Sequence, residues 1–327
     1  MWKTCSAILA LTMGLGAAPL HAQSQAAPAS WPNQPVRLVV PFPAGGGVDN
    51  LARQLAESLA GEWGQSVVVV NRPGGSTIVG TNSVINANDN HTLLFTTDAT
   101  FSMVAKINPN AQFALGKDLD PVALVAEFNQ MLVGKPEFAA DSLPELLAKG
   151  KAGHEFTYAS YGSGSEPQLA IEMLKHLSGV DIRHIPYKGV PQALNAVVAG
   201  EVDFTTSGTK TIEPLVQSGK LTPLAFTGPQ RDDLFPNVRT FTELGMPEVN
   251  ANVVIGLFAP TALPAEARTA VQQGVAKALA NEALTQRAII DRGFIRPTFA
   301  GDNLMPYFDQ RAQQRAKVIE IADIRVE

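Results

Sequence analysis

Residues 36–51 read Val36-Arg37-Leu38-Val39-Val40-Pro41-Phe42-Pro43-Ala44-Gly45-Gly46-Gly47-Val48-Asp49-Asn50-Leu51. The first five, apolar except for Arg37, read as a buried strand, and from Leu51 apolar residues recur every four positions at Leu55, Leu59 and Trp63, which marks a helix apolar on one face. Between them lies a turn rich in proline and glycine. Strand, glycine turn and helix in that order open a βα unit. Glycines let a backbone approach a ligand closely, and the first turn of a helix offers unpaired N–H groups and the positive end of a dipole. Such a junction is a ready site for an anion.

The arrangement returns further along, where Phe156-Thr157-Tyr158-Ala159 runs into Ser160-Tyr161-Gly162-Ser163-Gly164-Ser165-Glu166-Pro167 and a helix over about 166–177. Other strands are expected at 67–70, 92–97, 183–185, 202–206 and 253–258, and other helices at 78–85, 192–198, 265–280, 282–292 and 303–322. Strands alternating with helices predict mainly parallel sheets covered on both faces, with right-handed crossovers. Ligands of such sheets sit beyond the carboxyl ends of the strands, where both glycine junctions fall. Two of them, one in each α/β unit, predict a cleft in which both grip one small anion.

The whole chain fits that reading. Its 327 residues allow two domains and a large core. With 25 Lys+Arg against 30 Asp+Glu, a net charge of −5 and no basic block, capture of nucleic acid or of an anionic membrane is excluded as the main activity. The first 22 residues read as a secretory signal peptide, with Lys3 as the positive start, an apolar stretch over 7–20 and Leu20-His21-Ala22 as the cleavage site. Cleavage there removes Cys5, the only cysteine, so the exported chain relies on burial rather than disulfides. Residues 23–30 then form a tether.

Catalytic motifs are missing. Pro167 stands where a Gly-x-Gly-x-x-Gly turn would need its third glycine, and no phosphate-binding Gly-x-x-x-x-Gly-Lys-Ser/Thr occurs. Around Ser160 the residue two before is Tyr158, so no nucleophile elbow forms. His91, His154, His176 and His184 show no paired spacing for a metal. The expectation is a binding protein, not an enzyme, with no cofactor and no metal. Five residues at three places stay open between two roles. Asp49 is either an N-cap or a ligand group. Tyr187 reaches into the cleft or packs at a strand end. Thr96, Thr97 and Asp98 form either a polar turn or a set of groups around a carboxylate.

Four stretches, Pro41-Phe42-Pro43-Ala44-Gly45-Gly46-Gly47, Asn71-Arg72-Pro73-Gly74-Gly75, Thr157-Tyr158-Ala159-Ser160 and His184-Ile185-Pro186-Tyr187-Lys188-Gly189, resemble the periplasmic solute receptors of tripartite tricarboxylate transporters, called Bug receptors. The resemblance runs from Trp31 to about Ile324. It implies an α/β periplasmic-binding-protein fold of the type II, Venus flytrap kind, each domain a mainly parallel sheet flanked by helices. Two crossing strands near 123–133 and 253–258 would form the hinge. Domain 1 would comprise 31–125 and 253–327, and domain 2 would comprise 126–252. It further implies a monomer in the periplasm that closes around a small carboxylate or amino-acid-like ligand and delivers it to the permease subunits of the transporter. A docked histidine-kinase sensor domain is the alternative partner, and an exported serine hydrolase using Ser160 or Ser163 the remaining rival.

Carried onto this chain, the ligand-binding residues would be Phe42, Ala44, Gly45, Gly46 and Asp49 of the first junction, Thr97 and Asp98 of the strand end, Ser160, Gly162, Ser163, Gly164 and Ser165 of the second junction, and Tyr187 and Ser207. The chain departs from the family pattern at Asp98 and Glu166, where relatives have small or neutral residues, and at Tyr161, Gln168 and Ser207. An acid facing the cleft would repel a polyanion and favour a ligand with a cationic group.

Overall fold

The computed structural model describes residues 31–139, 142–162, 164–187, 189–228, 230–297 and 303–325. The expected signal peptide and tether, together with Ser163 and Lys188, lie outside them.

The glycine turn of residues 36–51 is flanked as its pattern dictates. Strand β1 (Val36–Val40) leads to helix α1 (Gly47–Trp63), whose Leu51, Leu55 and Leu59 are buried, and then to β2 (Val67–Asn71), α2 (Ile78–Ile85) and β3 (Thr92–Thr97). A π-type turn (Thr100–Val104) continues into the short α3 (Ala105–Ile107) and long β4 (Leu119–Phe128). Next come β5 (Gln130–Gly134), α4 (Leu143–Lys151), β6 (Phe156–Ser160), α5 (Glu166–Ser178), β7 (Ile182–Pro186), α6 (Val190–Val198), β8 (Phe204–Gly208), α7 (Thr209–Gln217) and β9 (Thr222–Phe226). The chain closes with β10 (Val253–Pro260), α8 (Ala265–Ala280), α9 (Glu282–Ala288) and α10 (Leu304–Ile321).

Two five-stranded sheets result, ordered β2-β1-β3-β10-β4 and β7-β6-β8-β5-β9. In each, three strands joined through helices are parallel, as βαβ units require. The other two pairings are antiparallel, β10 lying between β3 and β4, and β5 between β8 and β9. The sheets are therefore mixed. The reason is connectivity: β5 and β10 each follow a strand or loop belonging to the other sheet, so no crossover helix fixes their direction.

Both sheets are covered on both faces. On the first, Leu51 and Leu55 of α1 and Val271 and Val275 of α8 form one apolar layer, while Val84, Phe101, Leu304 and Phe308 form the other around Leu94 and Phe258. On the second, Leu146, Leu169 and Met173 pack over Phe156 and Tyr158, and Leu194, Val197 and Ile212 pack over Met131 and Phe226. Burial of these side chains, at roughly 1.5–3 kcal/mol each, is the main force holding the elements together.

The chain passes from the first sheet to the second at Asn129, between Phe128 and Gln130, and returns before Val253. Helix α10 lies against both sheets. Leu304 and Phe308 pack with the first, and Val318 with Leu169 and Met173 over the second. Strand β8 starts two residues later than the apolar pattern suggests, at Phe204. Asp203 is drawn aside by Lys135 at 2.8 Å and accepts hydrogen bonds from Thr157 N–H and Oγ1.

Candidate functional site

Between the two sheets lies a cavity of about 270 Å³. Gly47 and Val48, the first residues of α1, reach it from the first sheet, and Tyr161 and Glu166 from the β6–α5 junction of the second. The two glycine junctions therefore meet across one space. The β8–α7 junction adds Ser207, Gly208, Thr209, Lys210 and Thr211, and α6 adds Val190. Phe128 and Gln130 contribute from either side of the crossing, and Arg292, Gly293 and Phe294 from the turn after α9.

Four helices begin at this cavity, and none has a side-chain cap. The N-cap residues are Gly46 for α1, Ser165 for α5, Gly189 for α6 and Gly208 for α7. Ser165 Oγ turns back to donate to Gly162 O at 2.6 Å. Uncapped first turns carry unpaired N–H groups and positive dipole ends. Lys210 and Arg292 add full positive charge, Lys210 lying 2.9 Å from Glu213. One wall is apolar, with the Phe128 and Phe294 rings edge-on at 5.7 Å. Gly293 has φ +77°, and a Cβ there would come within 2.6 Å of Lys210 Cβ, so glycine at this position allows Lys210 to stand against the turn.

One acid faces this positive rim. Glu166 is half-buried and accepts a hydrogen bond from Tyr161 OH at 2.9 Å. Burial pushes its carboxyl above the usual carboxylate range despite Tyr161 and nearby Arg315. Burial and Glu166 together push the Tyr161 hydroxyl well above its ordinary value.

Most of the residues expected at the ligand serve the site from behind. Asp49 is 1% exposed, and its carboxylate accepts from Gly45 N–H at 2.8 Å, Asn71 Nδ2 at 2.8 Å and Arg53 Nε at 3.0 Å. It is neither the N-cap, which is Gly46, nor a cavity residue. It holds the turn of Phe42, Ala44 and Gly45, with Gly45 at φ +84° and Asn71 Nδ2 also bonding Phe42 O. Burial works to raise the Asp49 pKa, but the bonds from Arg53, Gly45 and Asn71 leave it lowered overall. Replacing Asp49 with alanine leaves the Gly45 and Asn71 donors without their acceptor, at a cost of about 1–3 kcal/mol for an orphaned group. Chemical denaturation of the variant should show that loss.

Asp98 is corrected more sharply. It is wholly buried and paired with Arg311 Nε at 2.6 Å and Arg315 Nη1 at 2.9 Å, both from α10, and it accepts from Val254 N–H at 3.2 Å. The two arginines also donate to Asn252 O, and Asn252 Nδ2 donates to Glu127 Oε2 at 3.1 Å. This cluster ties the end of β3 and both crossings to α10. Thr97 is buried at the same strand end, and neighbouring Thr96 bonds Thr100.

In the second junction Ser160 is fully buried, its Oγ 2.6 Å from His184 Nε2. The ring of His184 stacks on Tyr158. A serine and a histidine thus stand together, away from the cavity lining. Gly164 donates to Gln168 Oε1 at 2.8 Å and sits so close to Ile107 that a Cβ would come within 2.7 Å of it. Tyr187 packs with the core around Ile212. Of the residues expected at the ligand, Ser207 alone among the described ones lines the cavity. Sequence reasoning missed Lys210 and the turn 292–294. The missed signal was a third strand–glycine–helix junction, Phe204-Thr205-Thr206-Ser207-Gly208-Thr209-Lys210.

Among the described residues no group of three or more His, Cys, Asp or Glu is placed to hold a metal ion, and no helix is long and apolar enough to cross a membrane. Two mixed α/β sheets, two crossings and a cavity between them define the two-lobed Venus flytrap architecture of periplasmic binding proteins. Residues 51–323 match the family model described as "Tripartite tricarboxylate transporter family receptor". The chain is 32% identical to protein BugT of Bordetella pertussis over 287 residues, 87% of this chain and 84% of that protein. Among solved structures it is similar to an R. palustris protein with adipate, at 26% identity and a TM-score of 0.76, covering 91% of this chain and 100% of that one. MatC from Rhodopseudomonas palustris with bound malate is 26% identical with a TM-score of 0.71, covering 89% of this chain and 99% of that one. The chain belongs to the tripartite tricarboxylate transporter receptor family.

Proposed function

We propose that this protein is an exported solute receptor that binds a small carboxylate in the cavity between its sheets and hands it to the membrane subunits of a tripartite transporter. The observation that carries this reading is the convergence of four uncapped helix N-termini with Lys210 and Arg292 on one cavity. Four charge-assisted hydrogen bonds at about 1.5–3 kcal/mol each give roughly 6–12 kcal/mol, against about 8 kcal/mol for a micromolar ligand. These contacts are of the order a micromolar ligand needs, with apolar packing against Phe128 and Phe294 left to offset the cost of association.

The moving bodies are the first sheet with residues 31–125 and those from 253 onward, and the second with 126–252, rotating about the crossings, with α10 bridging the two because its end packs on the second sheet. A ligand that touches Gly47 on one side and Lys210 on the other binds the closed arrangement better than the open one, which is all that closure requires. Family membership and the similar structures solved with adipate and with malate support the ligand class. The Ser160–His184 pair lies outside the cavity lining, so the cavity itself lends a hydrolase no support.

The test is a thermal-shift series on protein stripped of ligand by unfolding and refolding, with mono-, di- and tricarboxylates and amino acids. A ligand at about 100 times its Kd adds about 2.7 kcal/mol, a rise of a few degrees. If no carboxylate moves the midpoint, the reading fails.

A further inference from the structure

From the acceptors in the cavity wall we infer that the ligand is an amino carboxylate, its nitrogen received by Gln130 and Glu166. This rests on the solute-receptor reading above and deepens it. Gln130 is 2% exposed and lines the cavity. It opens β5 opposite Gly208, the N-cap of α7. Its backbone carbonyl is engaged by Thr227 N–H at 2.8 Å and Thr227 Oγ1 at 3.0 Å. Its side-chain Oε1 is buried with no hydrogen-bond partner among the described residues. A buried acceptor without a donor is destabilising unless something that enters the cavity supplies one.

Glu166 stands in the same wall, with Tyr161 OH on one of its oxygens. A carboxylate can accept about four donors, so Tyr161 OH and the backbone N–H of Glu166 itself do not saturate it. The wall thus holds two acceptors, one of them acidic, of which Gln130 Oε1 is sealed from solvent in this arrangement and has to turn toward the ligand to meet it. Burial already disfavours the charged form of Glu166; a second carboxylate placed there would disfavour it further, a hydroxyl would satisfy an acceptor without offsetting that cost, and a cation would favour the charged form. An ammonium does both. The carboxylate end then falls to Lys210, Arg292 and the uncapped helix starts, and Phe128 and Phe294 pack against the carbon chain between.

The experiment compares matched sets by calorimetry: aspartate, malate and succinate; glutamate, 2-hydroxyglutarate and glutarate; 4-aminobutanoate, 4-hydroxybutanoate and butanoate; with adipate and citrate added. The expected result is that in at least one set the amino member binds tenfold or more tightly than both partners. Glu166→Gln should remove most of that margin without weakening the nitrogen-free members. Gln130→Leu should weaken the amino member alone, and it decides the matter if Glu166→Gln does not fold. A nitrogen-free or hydroxylated acid that binds as tightly as every amino carboxylate overturns this inference and leaves the receptor reading standing. Silence from every compound removes both.

Discussion

Asp98→Asn lowers the stability of the protein by about 3–5 kcal/mol, because it leaves the buried guanidinium groups of Arg311 and Arg315 without their shared counter-charge. For a chain of this size that is a fall in thermal midpoint on the order of 10 °C. The asparagine keeps the shape and can still accept from Val254 N–H, so the loss reports charge rather than packing. A variant in which the whole triad becomes apolar, Asp98→Leu with Arg311→Met and Arg315→Met, should recover much of it, since well-packed apolar groups often replace buried ion pairs at little cost. An Asp98→Asn midpoint within a degree or two of the parent would show that the cluster is not the clamp described here.

The same carboxylate gives the protein an acid limit. Burial alone would raise the Asp98 pKa, but the Arg311 and Arg315 charges outweigh it and hold the value below that of an unfolded aspartate. The unfolded chain therefore takes up the proton first. The contribution of Asp98 is complete above about pH 4, the ordinary aspartate value, and is lost as pH falls through its lower folded value. Asp49 is lowered as well and adds in the same direction. Denaturation midpoints measured between pH 7 and pH 3 should decline at the acid end, and the Asp98→Asn variant should show a shallower decline.

The second large effect is on affinity. Lys210→Met removes a positive charge from the rim of the cavity and should weaken a bound carboxylate about tenfold to a hundredfold, the worth of one charge-assisted hydrogen bond of about 1.5–3 kcal/mol. Arg292→Met should act similarly, and the two together less than additively, because both serve one anion. Stability of the unliganded protein should barely move. The Lys210–Glu213 pair is on the surface, where such pairs contribute about 0–1 kcal/mol. Unchanged affinity in the double variant would mean that the carboxylate is held elsewhere.

Much of the fold was legible because it is local. The alternation of Val36 to Val40 with the four-residue period from Leu51 to Trp63 defines β1, the turn and α1 without reference to the rest of the chain. The ends of α2, β3 and α8 follow from sequence in the same way. What escaped depends on distant partners. Asp98 and Arg311 are 213 residues apart, and nothing in either neighbourhood announces the pair. Asp98 therefore read as a cleft residue on the strength of its place at a strand end. Asp49 followed three glycines and read as a cap or a ligand group, whereas the turn folds back so that Gly45 binds it. Lys210 escaped because its helix is short and contains Pro214, which hid the apolar period. The turn at Arg292 reaches the cavity only through the packing of Phe294 beside Gly47 and Phe128. Glu166 stood out as unusual in sequence, but its orientation needed the structure.

Helix α10 gives the molecule a third tie between its halves. Leu304 and Phe308 anchor its start on one sheet, and Val318 lies on the other. A two-ply strip can twist as well as bend, but a strut fixed across it removes one of those freedoms. If the sheets rotate as proposed, the movement would have to slide along the seam where Val318 meets Leu169 and Met173, and would reach Glu166, which opens the same α5 helix. The described carboxyl-terminal residues, Val318 and Ile324 among them, pack with the second sheet. A fluorophore beyond Ile324 paired with one on α2 would read closure as a change in distance, with no label near the ligand.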